Sequence, residues 1–223
     1  MSEWLQLKAS DGHVLDAYIA KPEREPIAGL VVVQEIFGVN AHIRSVADGY
    51  ARDGFLVVAP ALFDRIEKHV ELKYEGEDLQ KAMSFIPKIN IENALLDVAV
   101  ALDYVRSETK KKTGVIGYCL GGTVAWLSAT RLKTDAAVGY YGGGIGNYAA
   151  ETPKVPVMLH FGKLDPHIPK EEVDRVQAAH PEVQIFWYGA GHAFNCEPRP
   201  SYEPNAAKLA RERSLAFLTE HLS

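Results

Sequence analysis

The sequence predicts an α/β fold with a mostly parallel central sheet and helices on both faces. Short apolar runs alternate with segments of helical periodicity from end to end. The runs are continuous instead of alternating with polar residues, as strands covered on both faces require. In addition, a Gly-rich junction at residues 117–122 falls where such a fold turns a central strand sharply into a helix.

The chain opens on a hairpin, with Trp4-Leu5-Gln6-Leu7 and Val14 through Ile19 separated by the turn residues Ser10-Asp11-Gly12. Gly29 to Val33 reads as the first buried strand, followed by a helix over about 40–53 and the strand Phe55 to Ala59. Residues 64–89 are polar and charge-mixed, an insertion that reads either as a lid or specificity wall or as a solvated helical excursion. A helix over 91–107 leads to the strand Thr113 to Tyr118, and a helix over 121–131, with Trp126 as core, leads to Ala136 to Tyr140. The strand Val155 to His160, a helix over 169–179 and the strand Val183 to Tyr188 come next. In the last helix, about 203–222, Ala207, Ala210, Ser214, Phe217 and Leu218 share one face while Lys208, Arg211, Glu212 and Glu220 face away. No repeat, low-complexity tract or Pro/Gly linker divides the chain, so residues 1–223 read as one domain.

With 223 residues, 47% hydrophobic and 24% charged, the composition is that of an ordinary globular protein and excludes a disordered chain, a fibrous repeat or a coiled coil. The formal charge of −5 and the lack of a basic stripe argue against nucleic acid as a partner. The one basic run, Lys110-Lys111-Lys112, sits beside a helix end, where positive charge complements the dipole. The N-terminus has no apolar leader, and the longest apolar stretch, Phe55 to Phe63, is too short to span a bilayer, so no membrane partner and a cytoplasmic location are expected. Two cysteines, Cys119 and Cys196, are too few for a disulfide scaffold and lack zinc-site spacing; both are expected to be free thiols. Neither a dinucleotide fingerprint nor a phosphate loop can be assembled, so no cofactor is expected. His160, Asp165 and His167 could be imagined as a metal set, but His160 lies within a strand and no third acidic ligand follows, so no metal is expected either.

Gly117-Tyr118-Cys119-Leu120-Gly121-Gly122 has the pattern of a nucleophile elbow with Cys in place of Ser. The chain must turn so sharply there that the flanking positions need glycine, and a sulfur at a helix N-terminus is stabilised as thiolate. By itself the pattern also fits a structural Cys in a Gly-rich strand-to-helix turn. Two further loops add weight. Asp165 follows the strand ending at His160, and His192 follows the strand ending at Tyr188, in the order nucleophile, acid, histidine. All three fall at the carboxyl ends of strands, where open α/β sheets build their sites. In these roles His192 takes and returns the proton of Cys119, and Asp165 fixes its tautomer. The backbone N–H groups of Leu120 and Ile36 are the expected oxyanion donors. Phe37, Tyr140, Tyr141 and Phe194 are candidate substrate contacts, with a core role for the tyrosines as the alternative.

Gln34-Glu35-Ile36-Phe37-Gly38, Gly117 through Gly122, His160-Phe161-Gly162 with Asp165, and Gly191-His192-Ala193-Phe194 together resemble the dienelactone hydrolase family of the α/β-hydrolases, over essentially the whole chain. The resemblance implies the α/β-hydrolase fold, the triad Cys119, Asp165 and His192, and a role for Glu35 in contacting the cysteine and helping ionise it as substrate binds. It also exposes a departure. The family's arginine for the substrate carboxylate, four residues after the histidine, is Cys196 here. Arg65, Lys68, Lys73 and Lys81 of the insertion offer no clear match for a second one, and Arg199 is the nearest basic substitute. The reading is a carboxylic ester hydrolase acting on a small ester or lactone, monomeric by default. A thioesterase or other acyl hydrolase, and a non-catalytic ligand binder, are the alternatives.

Overall fold

The computed structural model describes residues 2–223. Its centre is one sheet of eight strands in the order β1-β2-β4-β3-β5-β6-β7-β8, comprising β1 (Ser2–Lys8), β2 (Val14–Ala20), β3 (Ala28–Val33), β4 (Phe55–Pro60), β5 (Thr113–Tyr118), β6 (Ala136–Tyr140), β7 (Val157–Gly162) and β8 (Gln184–Tyr188). The opening hairpin forms as expected and joins the sheet antiparallel, β2 lying against β4, while every pairing from β4 to β8 is parallel. The central strands are buried at every position, which is why their sequences run apolar without alternation.

Six helices cover the sheet: α1 (Ala41–Arg52), α2 (Gly76–Phe85), α3 (Ile91–Thr109), α4 (Leu120–Arg131), α5 (Lys170–Ala179) and α6 (Pro204–Leu222). Register assigns two of them to opposite faces. Gly29 pairs with Thr113, and a side chain at Gly29 would strike Val105 of α3; one residue on, a side chain at Gly114 would strike Leu222 of α6. α4 packs beside α3, and α1 is joined to α6 through the Arg211–Asp53 ion pair. Local sequence sets the helix ends. Asn40 and Asn90 accept hydrogen bonds from Ile43 and Asn93 N–H at the starts of α1 and α3, and Lys110 closes α3 in the left-handed conformation, with a φ of 56°.

Two elements differ from expectation. β7 lies two residues later than the apolar run suggests, because Pro156 has no N–H to give the ladder. The insertion carries α2 and most of its residues are exposed, but it is packed more firmly than a free lid or a wholly solvated excursion, and the reading as a specificity wall stays an expectation. Phe63, Val70, Leu72, Ala82 and Phe85 build a small apolar cluster against Ile36, Phe37 and Leu120. Backbone pairing of Gly38 with Glu71, and Leu72 N–H donating to Phe37 C=O (2.9 Å), stitch it to the loop after β3. Arg65 anchors its start by a two-pronged bond to buried Asp97 of α3 (both 2.8 Å).

Beneath the sheet's carboxyl edge His160 is fully buried, with Nδ1 2.8 Å from the Tyr188 hydroxyl and Nε2 2.9 Å from Ser214 Oγ. Ser214 donates to Ala210 C=O, so it accepts from His160 Nε2–H and from Tyr140, and the imidazole is neutral. Burial and the Arg213 charge hold its pKa down at about 3. In the unfolded chain the ring would titrate near 6.5, so native stability is intact above that value and is lost as pH falls from about 6.5 toward about 3. Between about pH 7 and about pH 4 this group should contribute a loss of roughly 3 kcal/mol. Urea unfolding of His160→Gln at both pH values should show a correspondingly smaller pH dependence; an unchanged dependence would count against the assignment.

Candidate active site

Four loops converge at the carboxyl ends of β3, β5, β7 and β8. The β5–α4 loop brings in Cys119 with φ 54° and ψ −115°, an uncommon conformation for a residue with a side chain. Two close approaches hold it there. A Cβ at Gly117 would lie 1.9 Å from the Gly121 carbonyl oxygen, and Gly121 N–H donates to Gln34 C=O (3.1 Å). The strand, the elbow and the loop after β3 are thereby locked together. Tyr141 and Ala193, both with positive φ, also border the site, at 39° and 60°.

The β7 loop places Asp165 with both carboxylate oxygens engaged. Oδ1 accepts from His167 N–H (2.8 Å), and Oδ2 lies 2.7 Å from His192 Nδ1. Leu164 N–H donates to Ala190 C=O (3.0 Å), tying this loop to the one that carries His192. The Asp165 side chain is 1% exposed and that of His192 12%. Burial opposes charge on His192, but the hydrogen bonds to Asp165 and Cys119 outweigh it, and its pKa is pushed up to about 10. With Nδ1–H donated to Asp165, Nε2 faces Cys119, and an imidazole of this pKa holds a proton there near neutral pH. Cys119 is half-buried and free, and so is the fully buried Cys196.

Leu120 opens α4, so its N–H has no acceptor within the helix. No hydrogen bond among the described residues uses the Ile36 N–H. The loop bearing it is fixed by Gln34, whose side-chain oxygen accepts from Leu62 N–H (3.1 Å) and whose amide donates to Glu35 C=O (3.2 Å).

Glu35 is 1% exposed, and neither carboxylate oxygen has a hydrogen-bond partner. Burial raises its pKa, offset in part by Arg199, His192 and Tyr74. Neither oxygen hydrogen-bonds to Cys119, the residue that the family resemblance has Glu35 act on as substrate binds. Arg199 lies over the rings of Phe37 (5.6 Å) and Tyr74 (5.7 Å), bringing a cation to the site from a position three residues past Cys196. Arg65, Lys68 and Lys81 are engaged elsewhere, with Asp97, Asp64 and Glu67.

The four aromatic candidates divide. Phe37 packs on Tyr74 (4.5 Å between centroids), Tyr141 on His192 (5.1 Å), and Phe194 on Tyr141 (5.3 Å). Tyr140 does not belong with them. It is fully buried with its hydroxyl 2.7 Å from Ser214 Oγ, which corrects the expectation that it lines the pocket and matches the core alternative. Adjacent residues at a strand end point to opposite faces, and Tyr141 is the one turned to the site, its hydroxyl unpartnered. Tyr74 and His42 carry no signal in the sequence, and Gln34 enters it only as the first residue of the Gln34–Gly38 run. Only their packing around Glu35 and the loop after β3 marks them.

The profile of the dienelactone hydrolase family matches residues 15–222. A carboxymethylenebutenolidase of Pseudomonas putida is 33% identical over 227 residues, covering 98% of this chain and 96% of that one. Carboxymethylenebutenolidase 1 of Cupriavidus pinatubonensis is 29% identical over 98% of this chain and 97% of its own. Among solved structures, a provisionally named dienelactone hydrolase from Klebsiella pneumoniae superposes with a TM-score of 0.86 at 28% identity, covering 99% of both chains. The sheet order and the helices placed on it are those of the α/β-hydrolase fold.

Proposed function

Because this chain belongs to the dienelactone hydrolase family, and is a carboxylic ester hydrolase on that ground, we propose that it cleaves small esters or lactones through an acyl-enzyme on Cys119. The observation that carries the reading is the buried 2.7 Å Asp165–His192 bond, which turns the imidazole toward a cysteine held in a strained elbow. His192 takes the thiol proton, and the resulting thiolate attacks the substrate carbonyl carbon. The oxyanion that forms is met by the Leu120 and Ile36 N–H groups. Collapse breaks the ester C–O bond, and the leaving alkoxide takes the proton from His192. A water molecule, deprotonated by His192, then attacks the thioester and releases the acid and the free thiol. Phe37, Tyr141 and Phe194 form the apolar wall beside the reacting carbonyl. Arg199 offers the charge a substrate carboxylate would seek, so a lactone bearing an acid group remains within reach despite Cys196. The chemistry needs a reduced thiol, which suits the cytoplasm.

Purified protein should turn over nitrophenyl acetate, and acid quenching during turnover should trap an acetyl group on the peptide containing Cys119. Turnover with acetyl on no cysteine would sink the nucleophile assignment. Iodoacetamide should label Cys119, and labelling without turnover of any ester or thioester would favour the binder alternative. The Asp165–His192 pair favours neither an ester nor a thioester. Parallel assays on dienelactone, simple esters and acyl thioesters would separate them, with Arg199→Gln losing affinity only for anionic substrates.

A further inference from the structure

Next to the Cys119–His192 pair, three side chains from three separate segments meet without bonding to one another. Glu35 comes from the loop after β3, His42 from the first turn of α1 and Cys196 from the loop after β8. One carboxylate oxygen, one ring nitrogen and the sulfur all lie within 4.8 Å of one another. Glu35 is 1% exposed, His42 9% and Cys196 0%. Both Glu35 oxygens and His42 Nε2 are buried outside any well-formed hydrogen bond, with the Tyr74 hydroxyl close to Glu35 and Cys196. A buried polar group without a partner costs free energy of about 1–3 kcal/mol, and native proteins keep few of them. Here three such atoms accompany a thiol, the combination expected when the missing partner is a ligand.

We infer that Glu35, His42 and Cys196 form a seat for one divalent cation of the zinc class, with a fourth coordination position open. The donor set selects the metal. Thiolate and imidazole favour zinc and its borderline-soft neighbours, whereas magnesium and calcium require oxygen donors throughout. Three protein ligands of mixed S, N and O type with one open position is a recurrent zinc arrangement. Ligands about 2.0–2.3 Å from a tetrahedral zinc are roughly 3.3–3.8 Å apart, so the three atoms need to draw together by about 1 Å. On binding, Cys196 gives up its proton to solvent, and a thiolate with a carboxylate neutralises the double charge.

Two surroundings shape the seat. His42 lines both a cavity of about 510 Å³ between α1 and α6 and another of about 520 Å³ beside Tyr74, so open space reaches the seat on its His42 side. The Tyr74 hydroxyl, already accepting from Asn40, is placed to orient ligands from outside. Against the cation stands Arg199, whose charge reaches Glu35, His42 and Cys196 alike. Removing that charge should therefore strengthen metal binding, a response that adventitious surface binding would not show.

The test is independent of the hydrolase reading, because its signal is optical. Chelator-treated protein titrated with Co²⁺ should take up one ion per chain, with a near-ultraviolet thiolate-to-metal band and visible tetrahedral bands, both displaced by Zn²⁺. Cys196→Ser should abolish the thiolate band and weaken Zn²⁺ binding at least about 100-fold. His42→Gln should weaken binding similarly while keeping the thiol, Cys119→Ser should leave band and stoichiometry intact, and Arg199→Gln should tighten binding. Three results would overturn the inference: no uptake at micromolar Co²⁺ or Zn²⁺, uptake without a thiolate band, or a band lost in Cys119→Ser and kept in Cys196→Ser, which would put the ion on the Cys119–His192 pair.

Discussion

Cys119→Ala is expected to lower kcat/KM for nitrophenyl acetate by about 10⁴-fold or more, and Asp165→Asn by roughly 10³- to 10⁴-fold. The two losses arise differently. Removing the sulfur removes the nucleophile, leaving only the Leu120 and Ile36 donors and the apolar wall. With Asn at 165 the nucleophile stays, but the tautomer that serves it is lost. Asp165 accepts from His192 Nδ1–H at 2.7 Å through one oxygen and from His167 N–H at 2.8 Å through the other. The backbone bond should hold the amide oxygen of Asn toward His167, leaving its NH₂ facing Nδ1. The imidazole then turns its proton to Nε2 and meets the Cys119 thiol with a donor where an acceptor is needed. KM should change little, because neither residue holds the substrate. The support for the imidazolium also goes, so alkylation of Cys119 by iodoacetamide near neutral pH should slow in Asp165→Asn. Steady-state assays on variants checked for native circular dichroism would decide the matter. Full activity in Cys119→Ala, or an unchanged kcat in Asp165→Asn, would remove that residue from the mechanism.

The order of strands and helices was legible because buried parallel strands have to be continuous apolar runs, and those runs mark β3 to β6 almost to the residue. The candidate triad was legible for a related reason: each member sits just past a strand's carboxyl end, where position in the chain fixes position in space. What escaped depends on contacts between distant segments. Arg65 looks like one more surface charge until α3 brings Asp97 beneath it. Tyr140 and Tyr141 are equivalent in sequence, and only the register of β6 and the arrival of Ser214 from α6 separate core from site. Glu35, His42 and Cys196 have no motif spacing at all, since three separate elements must dock before their donor atoms meet. The insertion was ambiguous because its apolar residues are scattered among charges, and their shared target, Ile36, Phe37 and Leu120, lies elsewhere in the chain.

Gly117→Ala is expected to destabilise the fold by about 3 kcal/mol or more, and to leave little native protein if the wild-type margin is ordinary. The added methyl would stand 1.9 Å from the Gly121 carbonyl oxygen and 2.2 Å from its carbon, both backbone atoms that cannot rotate aside. Relief requires α4 to move off β5. That movement is itself resisted, because Gly121 N–H is bonded to Gln34 C=O and a side chain at Gly121 would already be 2.3 Å from Val33 C=O. Gly114→Ala on the same strand is the control. Its methyl would meet Leu222 Cδ1 at 2.7 Å and Leu218 Cδ2 at 3.3 Å, the ends of flexible side chains, so its cost should stay near 1 kcal/mol. Equal urea midpoints for the two variants would mean that the elbow is looser than its geometry implies. The same clash bears on the chemistry. Any fraction of Gly117→Ala that folds must do so with α4 displaced, and that displacement carries the Leu120 N–H away from the oxyanion position and disturbs the elbow that sets Cys119, while Asp165 and His192 stay on their own loops. Its residual kcat should therefore fall by about 10²-fold or more, at least the loss seen on removing one oxyanion donor.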